Sequence, residues 1–426
     1  MIGGGAAGFF GAVSCAQTYP HTQVTLLEAG HQPLSKVRIS GGGRCNVTHA
    51  CFEPAQLVQY YPRGGRALRG AFSRFQPKDT VAWFESRGVQ LKTEADGRMF
   101  PVTDNSETIV NCLINAAKDA GVKLRTASPV KSIRRHLPLL PTPHCPLSPE
   151  GAPPSPLPTQ QEFEIELKTG EMIKCDRILI ATGSNPQGYR WIKDLGHTVE
   201  PPVPSLFTFN IPDPRLQDLA GVSINEVRLR LPEAGKSAIE QTGPLLITHW
   251  GVSGPAVLKL SAWGARVLYE HKYQTPLLVN WLPQHHQDNL RELLMAVKSQ
   301  LPQRQIATSC PVSIPKRLWT SLVTHVGIGA EERWAEVSKK ALNQLVQELT
   351  QGHYLIKGKG VFKEEFVTCG GVKLKEVDFK TMESRLVPGL YFAGEILDID
   401  GVTGGFNFQS AWTTAWLAGQ AMGNRV

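Results

Sequence analysis

The glycine pattern at the start of the chain restricts its fold more than any other feature. Gly3, Gly5 and Gly8 form the sequence G-x-G-x-x-G. This spacing lets a β-strand turn tightly into a helix, and the middle glycine keeps the backbone open to a diphosphate. A short apolar run then ends at Glu28, about twenty residues after Gly8, where a carboxylate bonds ribose hydroxyls. The pattern predicts a Rossmann-type α/β domain that binds a dinucleotide.

Composition excludes several classes of protein. The 426 residues are 41% hydrophobic and 19% charged, which is typical of a globular protein of two or three domains. No run of eighteen apolar residues occurs, so we expect no membrane span. We expect a cytoplasmic protein, because no leader precedes Gly3 and the eight cysteines form neither Cys-x-x-Cys nor a metal-binding spacing.

The net charge of +8 is scattered along the chain. Small groups such as Arg63, Arg66, Arg69 and Arg74 stand out, without a basic block that interleaves aromatic residues. We therefore predict a solvated surface, or attraction for an anionic cofactor, and regard nucleic-acid binding as the less favoured interpretation.

The order of glycine-rich, strand-like and helix-like segments along the chain predicts a split Rossmann domain. Residues 1–195 form its first part, 196–360 an inserted β-barrel-like domain carrying a helical subdomain, and 361–426 its second part. Residues 137–160 contain nine prolines and are predicted to form a long excursion between two hairpin strands; docking of a partner there is an alternative. We also predict strands over 174–181 and 206–209. A second G-x-G-x-x-G is missing from the sequence, which argues against a second dinucleotide domain.

A glycine-rich loop follows the acidic strand end. Ser40 to Asn46 reads Ser-Gly-Gly-Gly-Arg-Cys-Asn, and its three glycines present N–H groups that suit a phosphate or a ring edge. Lys36 and Arg44 can neutralise phosphate charge. Cys45 is interpreted either as a small packing residue or as a redox-active thiol.

Two further segments carry possible chemistry. Gly394 opens a run of acids that includes Glu395 and Asp398, and Gly405 precedes an apolar helix whose N-terminus would stabilise negative charge. In the inserted domain His249 follows a strand and precedes a glycine turn. It is the candidate catalytic residue, as a proton donor or acceptor, and a structural histidine is the alternative.

In combination these motifs resemble the BaiN-like, aminoacetone-oxidase-type family of FAD-dependent oxidoreductases, also known as HI-type flavoproteins. The motifs that carry the resemblance are Gly3–Gly8, Ser40–Asn46, Gly97–Pro101, Thr248–Pro255, Thr368–Val372, Thr381–Ser384 and Gly394–Gln409. The resemblance implies a Rossmann domain split by a barrel-like insertion. It also implies FAD, held by Gly3, Gly5, Ala6, Ala7, Gly8, Glu28, Ala29, Lys36, Ser40, Gly41, Gly42, Gly43, Arg44, Cys45, Asn46, Val130, Ala181, Thr182, Gly183, Gly394, Glu395, Asp398, Gly405, Phe406 and Asn407.

The chain departs from the family in two places. Only Met1 and Ile2 precede the glycine turn, where the family has a full central strand, so we expect a start codon placed too late or a truncated chain. The proline-dense excursion at 137–160 is the second departure, and we expect it to be dispensable for FAD binding.

The resemblance predicts hydride transfer between the flavin N5 atom and a small organic substrate, in a cleft between the FAD domain and the insertion. NAD(P)H is expected as a diffusible electron donor, with O2 as an alternative acceptor. An RNA-modifying flavoprotein and a non-catalytic nucleotide-binding module are the alternatives. Substrate, donor and oligomeric state are left open by the sequence.

Overall fold

The computed structural model describes residues 1–136, 162–232, 238–360 and 367–423. The chain divides into two compact units. Unit 1 is Met1–Pro202 together with Gly370–Val426, and unit 2 is Val203–Cys369. Both divisions fall slightly later in the chain than the predicted boundaries. The Pro-rich stretch 137–160 lies outside the described residues.

The elements before the first boundary are α1 (Ala6–Thr18), β1 (Thr25–Leu27), α2 (Ser35–Gly43), β2 (Thr48–His49), α3 (Pro54–Leu57), α4 (Gly65–Phe72), α5 (Pro77–Glu85), β3 (Leu91–Thr93), β4 (Arg98–Pro101), α6 (Ser106–Asp119), β5 (Lys123–Arg125), β6 (Val130–His136), β7 (Glu162–Leu167), β8 (Met172–Cys175), β9 (Ile178–Ile180), α7 (Pro186–Asp194) and β10 (Val199–Ser205), which crosses it. Unit 2 continues with β11 (Phe209–Asn210), β12 (Ser223–Leu231), β13 (Ile239–Thr248), β14 (Gly251–Ser253), α8 (Pro255–Trp263), α9 (Ala265–Glu270), β15 (Thr275–Asn280), α10 (Gln287–Gln300), α11 (Lys316–His325), α12 (Lys339–Gln351), β16 (Gly352–Ile356) and β17 (Gly358–Lys359). The second boundary is crossed by β18 (Val367–Val372), and unit 1 ends with β19 (Val377–Asp378), β20 (Glu383–Ser384), β21 (Leu390–Phe392) and α13 (Phe406–Met422).

The sheet of unit 1 is built around the first residues of the chain. Ile2 forms parallel bridges to Leu27 at the end of β1 and to Ile180 at the end of β9. Strand β5 pairs in parallel with β1 on one side, and β21 pairs in parallel with β9 on the other. The glycine turn that follows Ile2 therefore leaves the middle of a parallel sheet, as the Rossmann prediction requires.

Helices α1 and α13 pack against each other through glycines. Gly11 and Gly419 face each other so closely that a Cβ on Gly419 would lie 2.7 Å from the Gly11 carbonyl oxygen. Both helices are buried over most of their length. This close approach packs the C-terminal half of α13 directly on α1.

Of the three local β elements predicted above, one is confirmed and two are wrong. The predicted hairpin is confirmed, since β6 and β7 pair in antiparallel register. The predicted strand 174–181 is two strands in different sheets: β8 pairs with β7, and β9 pairs with β21. The charged residues Asp176 and Arg177 separate them. The predicted strand 206–209 is wrong because Leu206 has a left-handed backbone, with φ of 58°, so pairing begins only at Phe209.

Unit 2 contains a seven-stranded sheet in the order β16-β15-β12-β13-β14-β11-β17. Its two ends are consecutive in the chain, with only Lys357 between β16 and β17. The sheet therefore curls round to meet itself, which gives the predicted barrel-like form. Helices α10 to α12 form the helical part, where Trp319 and Trp334 are fully buried. Within the described ranges, no helix has the length and apolar character needed to cross a membrane.

Candidate functional site

The glycine turn has one open position between two crowded ones. Gly3 has φ of 108°, and a Cβ on it would lie 2.5 Å from the Ala181 carbonyl oxygen. A Cβ on Gly8 would overlap the Gly3 carbonyl oxygen. A Cβ on Gly5 would meet nothing within 4 Å, so the backbone there faces open space at the start of α1. These are the steric roles that a diphosphate-binding turn needs.

Glu28 is anchored at the mouth of this turn. Its carboxylate accepts hydrogen bonds from the backbone N–H groups of Gly4 and Gly30, each at 2.7 Å. A carboxylate has about four acceptor positions, so the fixed oxygens retain the capacity to accept ribose hydroxyls. Ala29 beside it is exposed. Val130, the first residue of β6, is buried and pairs with Leu167.

Segments far apart in sequence meet at the turn. Gly394 packs on Ala7, since its added Cβ would lie 2.9 Å from the Ala7 Cβ atom. A Cβ on Gly183 would lie 3.3 Å from a carboxylate oxygen of Glu395. Next to Gly183, the buried Thr182 Oγ1 has no hydrogen-bond partner among the described residues, and it faces Gly188.

The triple-glycine loop lies beyond a kink at Ser40, inside the bounds given for α2, and its backbone is left-handed throughout. Gly41, Gly42 and Gly43 have φ of 59°, 69° and 85°, a run that residues with a Cβ do not adopt without strain. The three glycines are exposed. Ser40 turns back and bonds the Val37 carbonyl through its hydroxyl at 2.9 Å. The loop therefore exposes a glycine backbone at the surface of unit 1.

The two cations proposed for phosphate are already paired. Lys36 Nζ lies 2.5 Å from Glu395, and Arg44 lies 2.6 Å from Glu94, with its guanidinium 4.0 Å over the Phe100 ring. Both side chains therefore connect segments of unit 1 through ion pairs.

Cys45 is a packing residue in this structure. It is fully buried, and that burial raises its pKa to about 12. Since the thiolate is the reactive form, the geometry argues against the redox-active alternative.

The start of α13 is held by side chains that precede it. Gly405 packs against the Thr48 carbonyl oxygen and the Asn46 side-chain oxygen, which would lie 2.5 and 2.8 Å from an added Cβ. Asn407 exchanges two 2.8 Å hydrogen bonds with the backbone of Gly401. Its side chain therefore fixes the loop, and what it can offer a ligand is the N–H of the first helical turn. Asp398 lies half-buried before this loop.

Sequence reasoning missed two features of this site: His49, and the ion pair between Asp400 and Arg63. His49 donates from Nδ1 to the Gly404 carbonyl at 3.0 Å, and its ring stacks on Phe406 at 4.5 Å. Asp400 is fully buried and forms an ion pair with Arg63. Two sequence signals could have pointed to them. His49 lies three residues after Asn46, and Arg63 belongs to an arginine group that was interpreted as solvated surface.

His249 belongs to unit 2 and is described there alone. It occupies the exposed two-residue turn between β13 and β14. The turn is fixed because the Trp250 carbonyl accepts from the Ile211 N–H at 2.9 Å. The neighbouring Thr248 Oγ1 is buried without a partner among the described residues.

Unit 1 therefore fits a dinucleotide cofactor on its own geometry. An open turn at Gly5, an anchored acid at Glu28 and the segments Thr182–Gly183 and Gly394–Glu395 meet at the start of α1, and the exposed glycines at 41–43 lie in the same unit. Their donors are backbone N–H groups and hydroxyls, which suit a diphosphate and ribose.

Comparison with known proteins gives matches along nearly the whole chain. Residues 1–143 match the model of the HI0933-like protein Rossmann domain, and residues 203–367 match that of the HI0933-like protein barrel and H2TH domain. The ribosomal RNA dihydrouridine synthase of Escherichia coli (strain K12) is 29% identical over 99% of this chain and 96% of its own. Its counterpart in Haemophilus influenzae is 30% identical over 98% and 96%. The 3-dehydro-bile acid delta(4,6)-reductase of Clostridium scindens is 28% identical over 100% and 98%.

Proposed function

Because the chain belongs to the HI0933-like family of FAD-dependent oxidoreductases, we propose that it reduces a carbon–carbon double bond conjugated to a carbonyl, and that this bond is in a uracil ring of RNA. The observation that carries the proposal is the near-complete match to two ribosomal RNA dihydrouridine synthases. Dihydrouridine is uridine whose C5–C6 double bond, conjugated to the C4 carbonyl, has gained two hydrogens.

The sequence pattern favoured a small-molecule substrate, and that expectation supplies the second candidate. The bile-acid reductase relative matches this chain at 28% identity over its whole length, and its name also describes reduction of double bonds in conjugation with a carbonyl. Both candidates share one chemistry: hydride adds to the electron-poor carbon and a proton adds to its neighbour. FAD, when bound and reduced, supplies the hydride.

Within unit 1 the residues bind and orient. The Gly3–Gly8 turn and the N-terminus of α1 would hold the diphosphate through N–H groups and the helix dipole. Glu28 would accept the ribose hydroxyls, and the first turn of α13 would stabilise negative charge on the reacting ring. Arg63 neutralises the buried Asp400, so the loop before α13 adds no uncompensated negative charge. NAD(P)H is the proposed diffusible source of electrons.

His249 is the proposed proton donor to the substrate. An imidazole is the side chain that most often moves a proton near neutral pH, and this one lies in an exposed turn with a fixed backbone. His249→Gln is expected to lower kcat about a hundredfold with KM little changed, and to alter the pH profile of kcat. His286→Gln, an exposed histidine ahead of α10, is the matched control. An unchanged pH profile in His249→Gln would remove this role.

Product analysis tests the function itself. FAD-loaded protein and NADPH are incubated with an unmodified ribosomal RNA transcript, the RNA is digested, and nucleosides are separated by mass spectrometry. Uridine that has gained two hydrogens supports the proposal. A parallel arm offers a steroid with a 3-keto group conjugated to ring double bonds. Reduction of the steroid with no change in the RNA would favour the second candidate.

A further inference from the structure

A groove in unit 1, away from the glycine turn, has the shape and charge of an anion site. Its walls are the C-terminal end of α4, with Arg74 just beyond it, and the segment Leu374–Lys380 with Arg385. The cavity measures about 680 Å³, within the range of known ligand pockets. We call it the α4 groove.

Cations dominate the lining of the α4 groove. Arg74, Lys375, Lys380 and Arg385 face it, against one carboxylate, Asp378. That carboxylate is already engaged, because it accepts the Lys380 backbone N–H at 3.0 Å and lies 3.5 Å from Arg385.

Three of these cations have no acid to neutralise them. In the part of the chain that the structure describes, no carboxylate lies within ion-pairing distance of Arg74, Lys375 or Lys380. Arg74 instead donates to the Lys380 carbonyl and sits 5.8 Å over the Trp416 ring. Unneutralised cations grouped around a cavity favour a polyanion such as a nucleic-acid backbone.

The lining of the groove also includes apolar side chains and an aromatic ring. These are Leu374, Val377 and Phe379, and Phe379 is half-buried. Proteins that bind single-stranded nucleic acids combine a cationic groove with aromatic rings on which bases stack. The α4 groove has both features.

The cationic wall is braced by a buried chain of hydrogen bonds. The Ser384 hydroxyl accepts the Val387 N–H at 2.7 Å and donates to His197 Nε2 at 2.9 Å. His197 Nδ1 then donates to Glu376 at 3.1 Å. Ser384 and His197 are 6% and 4% exposed, so this serine is no nucleophile. The chain of bonds joins Glu376, the residue after Lys375, to Ser384, the residue before Arg385.

Helix α4 connects the groove with the proposed reaction centre. The two residues that precede it lie beside the loop that contains Asp400, since Gly64 packs on Ile399 and Arg63 pairs with Asp400. Its last residues line the groove. Eight helical residues span about 12 Å, a distance that a short stretch of a nucleic-acid strand can cover.

We propose that the α4 groove binds the phosphate backbone of single-stranded RNA beside the base that is reduced, with Phe379 stacking on a neighbouring base. This inference rests on the proposed function and adds to it the surface that recognises the substrate.

Charge reversal with a matched control tests the groove. A fluorescent single-stranded RNA containing uridine is titrated with the FAD-loaded wild type, with Lys375→Glu/Lys380→Glu and with Lys168→Glu/Lys193→Glu, which makes the same charge change on exposed lysines elsewhere in unit 1. The groove variant is expected to bind at least about tenfold more weakly, and its salt slope to fall by about 0.7 for each phosphate that it no longer neutralises. The control variant is expected to bind like the wild type.

A second variant tests the stacking ring. Phe379→Ala is expected to weaken RNA binding about tenfold with the salt slope unchanged, since no charge is removed. FAD content and reduction by NADPH are expected to be unchanged in every variant, which shows that the fold is intact.

Each contrary outcome overturns a different statement. If the groove variant binds RNA as the wild type does, the groove proposal falls and the proposed function stands. If polyglutamate binds as tightly as RNA, the groove recognises charge alone and the nucleic-acid site is refuted. If RNA binding depends on the groove but uridine is never reduced, the proposed function falls and the groove stands.

Discussion

Two regions of unit 1 use their cations in opposite ways. In or beside the segments that carry the cofactor motifs, Lys36, Arg44 and Arg63 are each paired with a carboxylate. In the α4 groove, Lys375 and Lys380 have no such partner among the described residues. A resident diphosphate can be held by N–H groups and a helix dipole, with no free cation. A polyanion that binds and dissociates needs cations on the protein that have no ion-pair partner. Such cations speed association and make binding depend on salt.

The substitution with the largest expected effect fills the open space at the glycine turn. Gly5→Val places a branched side chain where an added Cβ now meets nothing within 4 Å, so the diphosphate is excluded. FAD affinity is expected to fall about a thousandfold, roughly 4 kcal/mol, as measured by flavin fluorescence titration. Gly5→Ala is the graded control with an intermediate loss. The apo forms should unfold at the same temperature, and FAD affinity that survives in Gly5→Val would contradict the assignment of the turn.

Substitution of Arg63 tests whether the paired cations stabilise the fold. Arg63→Ala leaves Asp400, which is fully buried, without its counter-charge. The free energy of unfolding is expected to fall by about 3 kcal/mol, measured by urea denaturation. The double variant Arg63→Ala/Asp400→Asn removes the stranded charge and should recover part of this loss. A single variant as stable as the wild type would show that this ion pair is not needed.

The brace of the groove makes stability depend on pH. Burial is the main cause that lowers the pKa of His197 below its ordinary value of 6.5, against the opposing effect of Glu376. The unfolded chain then binds more protons than the folded one between the two pKa values. The contribution of His197 is therefore complete above pH 6.5 and is lost as pH falls through the folded-state pKa.

Thermal unfolding across that window measures the effect. The wild type is expected to lose stability more steeply than His197→Gln on acidification from neutral pH. Glu376 loses its own contribution only below its ordinary pKa of 4.5, because the net effect of its surroundings is to lower the pKa although burial raises it. Parallel curves for the two proteins would exclude His197 as the source.

The smallest expected effect is at an exposed pair. Lys36 is 53% exposed beside Glu395, and exposed pairs contribute at most about 1 kcal/mol. Lys36→Ala should leave stability within that amount and FAD affinity within about threefold. A large loss of FAD affinity would show that Lys36 leaves Glu395 to bind the phosphate, and the contrast between the two regions would then be weaker.

Features that depend on a few neighbouring residues could be predicted from the sequence, whereas contacts between residues far apart in the chain could not. The turn at Gly3–Gly8 and the hairpin of β6 and β7 follow from spacing and alternation over a few residues. The pairing of Arg63 with Asp400, 337 residues apart, depends on how α4 and the loop before α13 pack. The α4 groove likewise joins residues from both ends of the chain, and in sequence Arg74 looked like one more surface arginine.

The two strand errors also have a long-range origin. An apolar run over 174–181 cannot reveal that Asp176 and Arg177 mark the passage from one sheet to another. Leu206 gave no sign of its left-handed backbone, since leucine rarely adopts one. These features are imposed by tertiary contacts that propensity does not encode.

Anaerobic mixing tests the central claim most directly. The FAD-loaded protein is reduced with a stoichiometric amount of NADPH, then mixed without O2 with a ribosomal RNA transcript, and flavin absorbance is followed. The account predicts that uridine-containing RNA reoxidises the flavin, and that the same RNA made with dihydrouridine in place of uridine does not. A flavin that stays reduced with uridine RNA but is reoxidised by a steroid with a conjugated ketone would contradict it.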